Sequence, residues 1–233
     1  DHGSEIAAVV MEPVLENIGI VLPDEGYLAG VRAACDAHGV LLVFDEVKTG
    51  LTAGYGGASQ RLGVTPDLVT LAKSIGGGLP LAAFGGRREV VETISDWRMP
   101  HFGTYNGNPL VMAAALAVDD ICTHEALAAA EAVNNGALTA SDAIIAAYDL
   151  PAHTVGFGVK GAITWSPSPV RNYRDYKRTD FGIAELSWLW GVNRGVLTPP
   201  GLDEQWLVSL AHTPADMNLL VEHFAELAEA VRA

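Results

Sequence analysis

The sequence predicts an α/β protein, with a mixed, mostly parallel sheet in its first half and a smaller α+β domain after it. Three observations carry that expectation. Short apolar runs at residues 6–11, 39–44 and 68–72 are spaced widely enough for crossover connections, which parallel strands require. The middle run is uninterrupted and rich in branched residues, as strands covered on both faces are. Beyond Leu150 the texture changes to a strand pair followed by helical patterns. The domain boundary is expected near the long alanine-rich stretch, giving residues 1–125 and 126–233.

The first run ends at Glu12-Pro13. A helix is expected to open after Pro23, with Leu28, Val31, Ala34 and Cys35 at helical spacing, and to stop near His38-Gly39. The 39–44 run ends in Asp45-Glu46, and the 68–72 run ends in Lys73. Glycines 76–78 and Pro80 separate it from a further apolar segment at 81–84. After the loop 103–108, Pro109 suits the first turn of a helix with Asn108 as its cap, and alanine-rich sequence runs to about Ala147. Segments 154–159 and 162–165 read as a strand pair, and 181–192 and 216–231 as helices.

Composition excludes several classes. At 233 residues with 49% apolar side chains the chain can bury a core, and it is not a disordered composition. A formal charge of −14 argues against a nucleic-acid or anionic-membrane surface. The basic run 171–178 is short, contains Asp175, and is expected to be a solvated loop. Cys35 and Cys122 have neither metal-ligand nor disulfide-framework spacing, so a reducing cytoplasm is the default compartment. No apolar stretch approaches the roughly 20 residues of a membrane span. Four tryptophans, Trp165, Trp188, Trp190 and Trp206, are expected in the core of the second domain.

Glu12, Asp45 and Lys73 each follow a strand, and ligands of open parallel sheets bind beyond the carboxyl ends of the strands. The three side chains are therefore expected to converge. An apolar run ending in Asp-Glu also fits a nucleotide-hydrolysing strand, but the required Gly-x-x-x-x-Gly-Lys loop is absent from the sequence. An amine desolvated between a buried strand and three glycines would have its charged form disfavoured and become nucleophilic. An amine and an acid at neighbouring strand ends are the two polar groups that pyridoxal phosphate (PLP) chemistry needs, one to form a Schiff base and one to keep the pyridine nitrogen protonated. Gly103-Thr104, ahead of a helix, offers backbone amides and a hydroxyl to an anion.

Taken together, several stretches resemble the class III aminotransferases, and within that family the glutamate-1-semialdehyde 2,1-aminomutase group and its aminotransferase relatives. They are Met11-Glu-Pro-Val14, Leu42-Val-Phe-Asp-Glu-Val47 with Thr49-Gly50, Pro66-Asp-Leu-Val-Thr-Leu-Ala-Lys-Ser-Ile-Gly-Gly-Gly-Leu-Pro80, Ala83-Phe-Gly-Gly-Arg-Arg-Glu89, and Gly103-Thr104 with Gly107-Asn-Pro109. The resemblance implies the fold type I architecture of PLP-dependent transferases. It implies Lys73 as the residue that binds PLP covalently and shuttles the proton, Asp45 on the pyridinium nitrogen and Val47 on the ring face. Gly103 and Thr104 would meet the cofactor phosphate of the neighbouring subunit in a homodimer with shared sites, and Glu12 would lie near substrate or the ring oxygen. The reaction would move an amino group from an amino acid or amine to a keto or aldehyde acceptor. Lys48 stands where relatives often carry an apolar or small residue. Members of the family are about twice this length, so the chain reads as the C-terminal half of such an enzyme. An alternative of another class is a non-catalytic or dimerising fragment that holds the lysine and exposes strand edges and apolar surface.

Overall fold

The computed structural model describes residues 2–200 and 205–232. The chain divides into two compact units, one formed by the residues up to Pro13 with Pro23–Thr123, the other by Val14–Leu22 with the residues from His124 on.

The first unit holds a four-stranded sheet in the order β1 (Ala8–Met11), β2 (Leu41–Asp45), β3 (Leu68–Ala72), β4 (Ala82–Gly86). β1, β2 and β3 are mutually parallel. Helix α1 (Tyr27–His38) makes the first crossover and stops at Gly39, whose φ of 66° is the left-handed conformation that ends many helices. Its Leu28 and Cys35 pack on Leu42 and Phe44 of β2, with Val40 and Val64, in one buried cluster. Leu42 and Phe44 are fully buried. The next crossover carries the short helix α2 (Gly57–Leu62).

β4 runs antiparallel to β3. The reason is the connection: residues 73–81 are too few for a crossover, and a chain that short can only return antiparallel. A 3₁₀ turn, Lys73–Gly76, begins that return. Helix α3 (Arg88–Ser95) follows, then α4 (Pro109–Ile121), whose N-cap Asn108 accepts from the amides of Leu110 at 3.0 Å and Val111 at 3.4 Å. The alanine-rich stretch is not one helix. α4 ends at Ile121 and α5 (His124–Ala147) begins three residues later, across Cys122-Thr123, neither of which is a strong helix former.

The second unit packs α5 and α8 (Pro214–Arg232) with an antiparallel sheet, β5 (His153–Phe157), β6 (Lys160–Thr164), β7 (Gln205–Leu207). Trp165, Trp206, Phe224 and Leu227 are core. Trp188 and Trp190, on α7 (Phe181–Val192), are only partly buried, and their indole N–H groups donate to the Thr198 and His223 carbonyls. Asn134, fully buried, donates to Gly158 O at 2.9 Å and Lys160 O at 2.8 Å and accepts from Trp206 Nε1 at 2.7 Å, so a polar side chain is satisfied inside the core. The basic run is not wholly loop. Residues Tyr173–Tyr176 form a short exposed helix, α6, capped by Asn172. Among the described residues no helix is long and apolar enough to cross a membrane.

Candidate functional site

The carboxyl ends of β1, β2 and β3 lie side by side, and the register sets what stands there. Met11 is partnered with Phe44, and Asp45 with Thr70. Glu12 therefore follows the end of β1, Asp45 closes β2, and Lys73 comes directly after β3. Three of the expected residues are thus brought to one edge of the sheet, and Val47 follows two residues after Asp45.

Asp45 and Glu46 are neighbours with different surroundings. Glu46 is buried and accepts from the Ala58 amide at 2.6 Å, the Ser59 amide at 3.0 Å and the Thr49 hydroxyl at 3.1 Å, as well as from the Ser59 hydroxyl. Its carboxylate satisfies the free amides at the start of α2, a structural task. Gly57, with φ of 66°, carries no side chain where a Cβ would collide with that carboxylate. Asp45 is half-buried, and only its Oδ1 accepts: from the Val47 amide at 3.0 Å and the Thr70 hydroxyl at 3.3 Å. Among the described residues Oδ2 accepts no hydrogen bond. The carboxylate is held by one oxygen and presents the other.

Lys73 has φ of 54°, in the left-handed region that a non-glycine residue adopts at a cost of order 1 kcal/mol or more. Its side chain is exposed, so the burial expected for the amine is not found. Among the described residues the amine makes no hydrogen bond or ion pair, and no carboxylate competes for it. Of the glycines that follow, Gly76 and Gly77 are packed against protein atoms, while space beside Gly78 is open. A Cβ at Gly77 would stand 2.9 Å from Val118 Cγ2 of α4, so this glycine lets the turn pack beneath that helix.

Gly103 and Thr104 lie in the exposed loop ahead of α4, and among the described residues no hydrogen bond links them to the strand-end group. Gly103 O accepts from the Asn106 amide at 3.0 Å, and Asn106 Nδ2 lies 3.2 Å from His101 Nε2. Because Asn108 already takes two amides of α4, any anion at this place would rest on the loop itself. The Ala211-His-Thr segment with Asp216 forms a reciprocal cap of α8: Thr213 N donates to Asp216 Oδ2 at 2.7 Å and Asp216 N to Thr213 Oγ1 at 3.4 Å.

Motif spacing does not point to Thr70. Its partnership with Asp45 comes from the parallel register of β2 and β3, which the sequence pattern leaves open.

The donor set fits a pyridoxal group: just beyond β3, an amine that makes no hydrogen bond or ion pair among the described residues, and, closing the adjacent strand β2, a carboxylate whose Oδ2 accepts no hydrogen bond among the described residues.

The profile of the aminotransferase class-III family matches residues 1–163. The glutamate-1-semialdehyde 2,1-aminomutase of Nitratidesulfovibrio vulgaris (strain DP4) is 37% identical over 222 residues, covering 95% of this chain and 52% of that protein. The enzyme of the same name from Methanocorpusculum labreanum is 39% identical over 224 residues, covering 93% and 52%. Among solved structures, an omega-transaminase from Sphaerobacter thermophilus superposes with a TM-score of 0.92 at 27% identity, covering 100% of this chain and 54% of that one. A glutamate-1-semialdehyde aminomutase from Pseudomonas aeruginosa PAO1 in complex with PMP superposes at 0.88 with 29% identity, covering 97% and 52%. The chain spans about half the length of the relatives it matches.

Proposed function

This chain belongs to the aminotransferase class-III family, and from that premise we propose that it carries the covalent-attachment and ring-binding residues of a PLP-dependent aminotransferase or aminomutase. The observation that carries the reading is the placement of an amine, Lys73, without a hydrogen-bond or ion-pair partner among the described residues, and a carboxylate, Asp45, at the ends of adjacent parallel strands. It is supported by relatives of both kinds, mutase and transaminase, that share the fold.

PLP supplies an electron-accepting ring that stabilises the charge left when the substrate carbon loses a proton. Lys73 Nζ would be the group that holds the cofactor covalently, and its amine would be the base that carries a proton to and from the substrate carbon bearing the amino group. Asp45 would accept from the ring N–H through Oδ2 and so favour the protonated nitrogen, since a carboxylate beside it stabilises the cationic form. Val47 would pack on the ring face, and Glu12 would lie near the substrate or the ring oxygen. The substrates are an amino acid or amine donor and a keto or aldehyde acceptor. We place the protein in the cytoplasm, a reading supported by the free thiols Cys35 and Cys122.

The same reading includes a homodimer in which Gly103 and Thr104 would meet the cofactor phosphate of the neighbouring subunit. It is supported by the exposure of that loop, where Phe102 and Tyr105 are 74% and 82% accessible.

The test is an absorption spectrum of the purified chain with PLP, beside Lys73→Ala, followed by borohydride reduction and peptide mapping. A visible band and a reduced adduct on Lys73, both lost in the variant, are expected. An adduct of equal yield in Lys73→Ala would overturn the assignment.

A further inference from the structure

We propose that Thr70 is a positioning residue for Asp45, fixing which carboxylate oxygen is offered to the ring nitrogen; the inference rests on the role given to Asp45 above. Thr70 is the Cα partner of Asp45 in the parallel register of β2 and β3, so the two side chains leave the sheet on the same face, directly side by side. The Thr70 hydroxyl donates to Asp45 Oδ1 at 3.3 Å, the oxygen that also takes the Val47 amide at 3.0 Å. The backbone at this point is tied as well, because Glu46 N donates to Thr70 O at 3.0 Å.

Two donors converging on one oxygen fix the plane of a carboxylate more tightly than one can. With the Val47 amide alone, the group still pivots about that single bond. With both, Oδ1 is saturated and Oδ2 is aimed along one direction. A carboxylate aimed in advance loses less freedom when it meets a ring N–H, and outer hydrogen bonds of this kind orient functional groups generally. The residue type also matters. A threonine side chain is confined by its branched Cβ, so the hydroxyl is delivered in few rotamers.

The experiment compares the parent chain with Thr70→Val, which removes the hydroxyl at nearly constant shape, and Thr70→Ser, which keeps it. Retention of PLP is measured beside retention of its 1-deaza analogue, whose ring has C–H in place of the nitrogen, with Asp45→Asn as the control. Thr70→Val is expected to weaken PLP retention by about fivefold to tenfold, the scale of one ordinary intramolecular hydrogen bond, and to leave the deaza analogue unchanged. Thr70→Ser is expected to stay close to the parent. A merely structural threonine would weaken both ligands alike, and that result overturns the proposal.

If Asp45→Asn separates the two ligands but Thr70→Val does not, the positioning role fails and Asp45 stands. If Asp45→Asn fails to separate them, the assignment of Asp45 falls and the proposal falls with it. A second readout needs no cofactor: the Asp45 side-chain scalar couplings should report one rotamer in parent and Thr70→Ser and averaging in Thr70→Val. Unchanged couplings in Thr70→Val overturn the proposal whatever the ligands do.

Discussion

Arg87 reaches from the turn after β4 to the start of β3, where its Nη1 donates to Asp67 Oδ1 at 2.9 Å. The other oxygen of Asp67 accepts from Arg32 Nη1 and from the Leu42 amide, both at 2.7 Å. One nearly buried carboxylate thereby joins α1, β2, β3 and β4 at the edge opposite the candidate site. Burial pushes its pKa up, but the Leu42 amide and the two guanidiniums outweigh that and hold it at about 2, against an ordinary 3.8.

That difference predicts a pH dependence of stability. The folded-state value lies below the unfolded one, so the contribution is full above about pH 4, shrinks between 4 and 2, and is gone below both values. It amounts to about 2 kcal/mol. Urea unfolding at pH 7, 5, 4 and 3 should show the parent losing stability over this window more steeply than Asp67→Asn. Parallel curves would remove Asp67 as the cause.

Glu46 carries a second prediction. Its carboxylate takes the Ala58 and Ser59 amides and the Ser59 hydroxyl at the start of α2, and the Thr49 hydroxyl from the loop after β2. Glu46→Gln replaces one acceptor oxygen with a donor group that faces other donors. A loss of about 3 kcal/mol is expected in denaturant unfolding at neutral pH, because buried donors are left without their charged acceptor. Cofactor trapping at Lys73 in the still-folded fraction should persist. A variant as stable as the parent would show that the carboxylate is dispensable to α2.

Asp45→Asn should act in the opposite way. The residue is half-buried, and Asn keeps an oxygen for the Val47 amide and the Thr70 hydroxyl, so a change in stability under about 1 kcal/mol is expected. Covalent trapping at Lys73 should survive. The rate at which an amino acid converts the Lys73-attached cofactor should fall at least about a hundredfold, since the ring loses the group that keeps its nitrogen charged. Stopped-flow spectra of the half-reaction test this, and a rate within threefold of the parent would reassign Asp45.

How much of this was legible beforehand follows from what each feature depends on. The ends of α1, the cap at Asn108, strand β3 and the placement of Lys73 just beyond it depend on residues close in sequence, and periodicity and cap chemistry expose them. The direction of β4 was open because it depends on how many residues a crossover needs, and the break at Cys122-Thr123 because alanine on both sides masks it. Asp45 and Glu46 look equivalent in a sequence. Only the fold shows that α2 returns its amides to Glu46 and that β3 brings Thr70 to Asp45. The arginine pair on Asp67 has no local signal at all, since its partners are 35 and 20 positions away.

The second unit offers its own test in a buried ion pair. Lys160 Nζ, with 8% of its side chain accessible, meets the fully buried Glu16 carboxylate. Gln205 Nε2 fastens the same segment by donating to Glu16 O at 2.7 Å and Gly19 O at 2.8 Å. Removing both charges from water is costly, and their attraction offsets that cost only while both are present. Lys160→Met leaves the carboxylate buried against an apolar neighbour and should cost about 3–5 kcal/mol. Combining it with Glu16→Leu removes the buried carboxylate as well and should recover much of that loss, because apolar pairs often replace buried ion pairs at little net expense. A double-mutant cycle by urea unfolding reads the coupling directly. If Lys160→Met alone costs under 1 kcal/mol, the pair is not held dry. If the double variant is no more stable than the single, the loss lies in packing and not in charge.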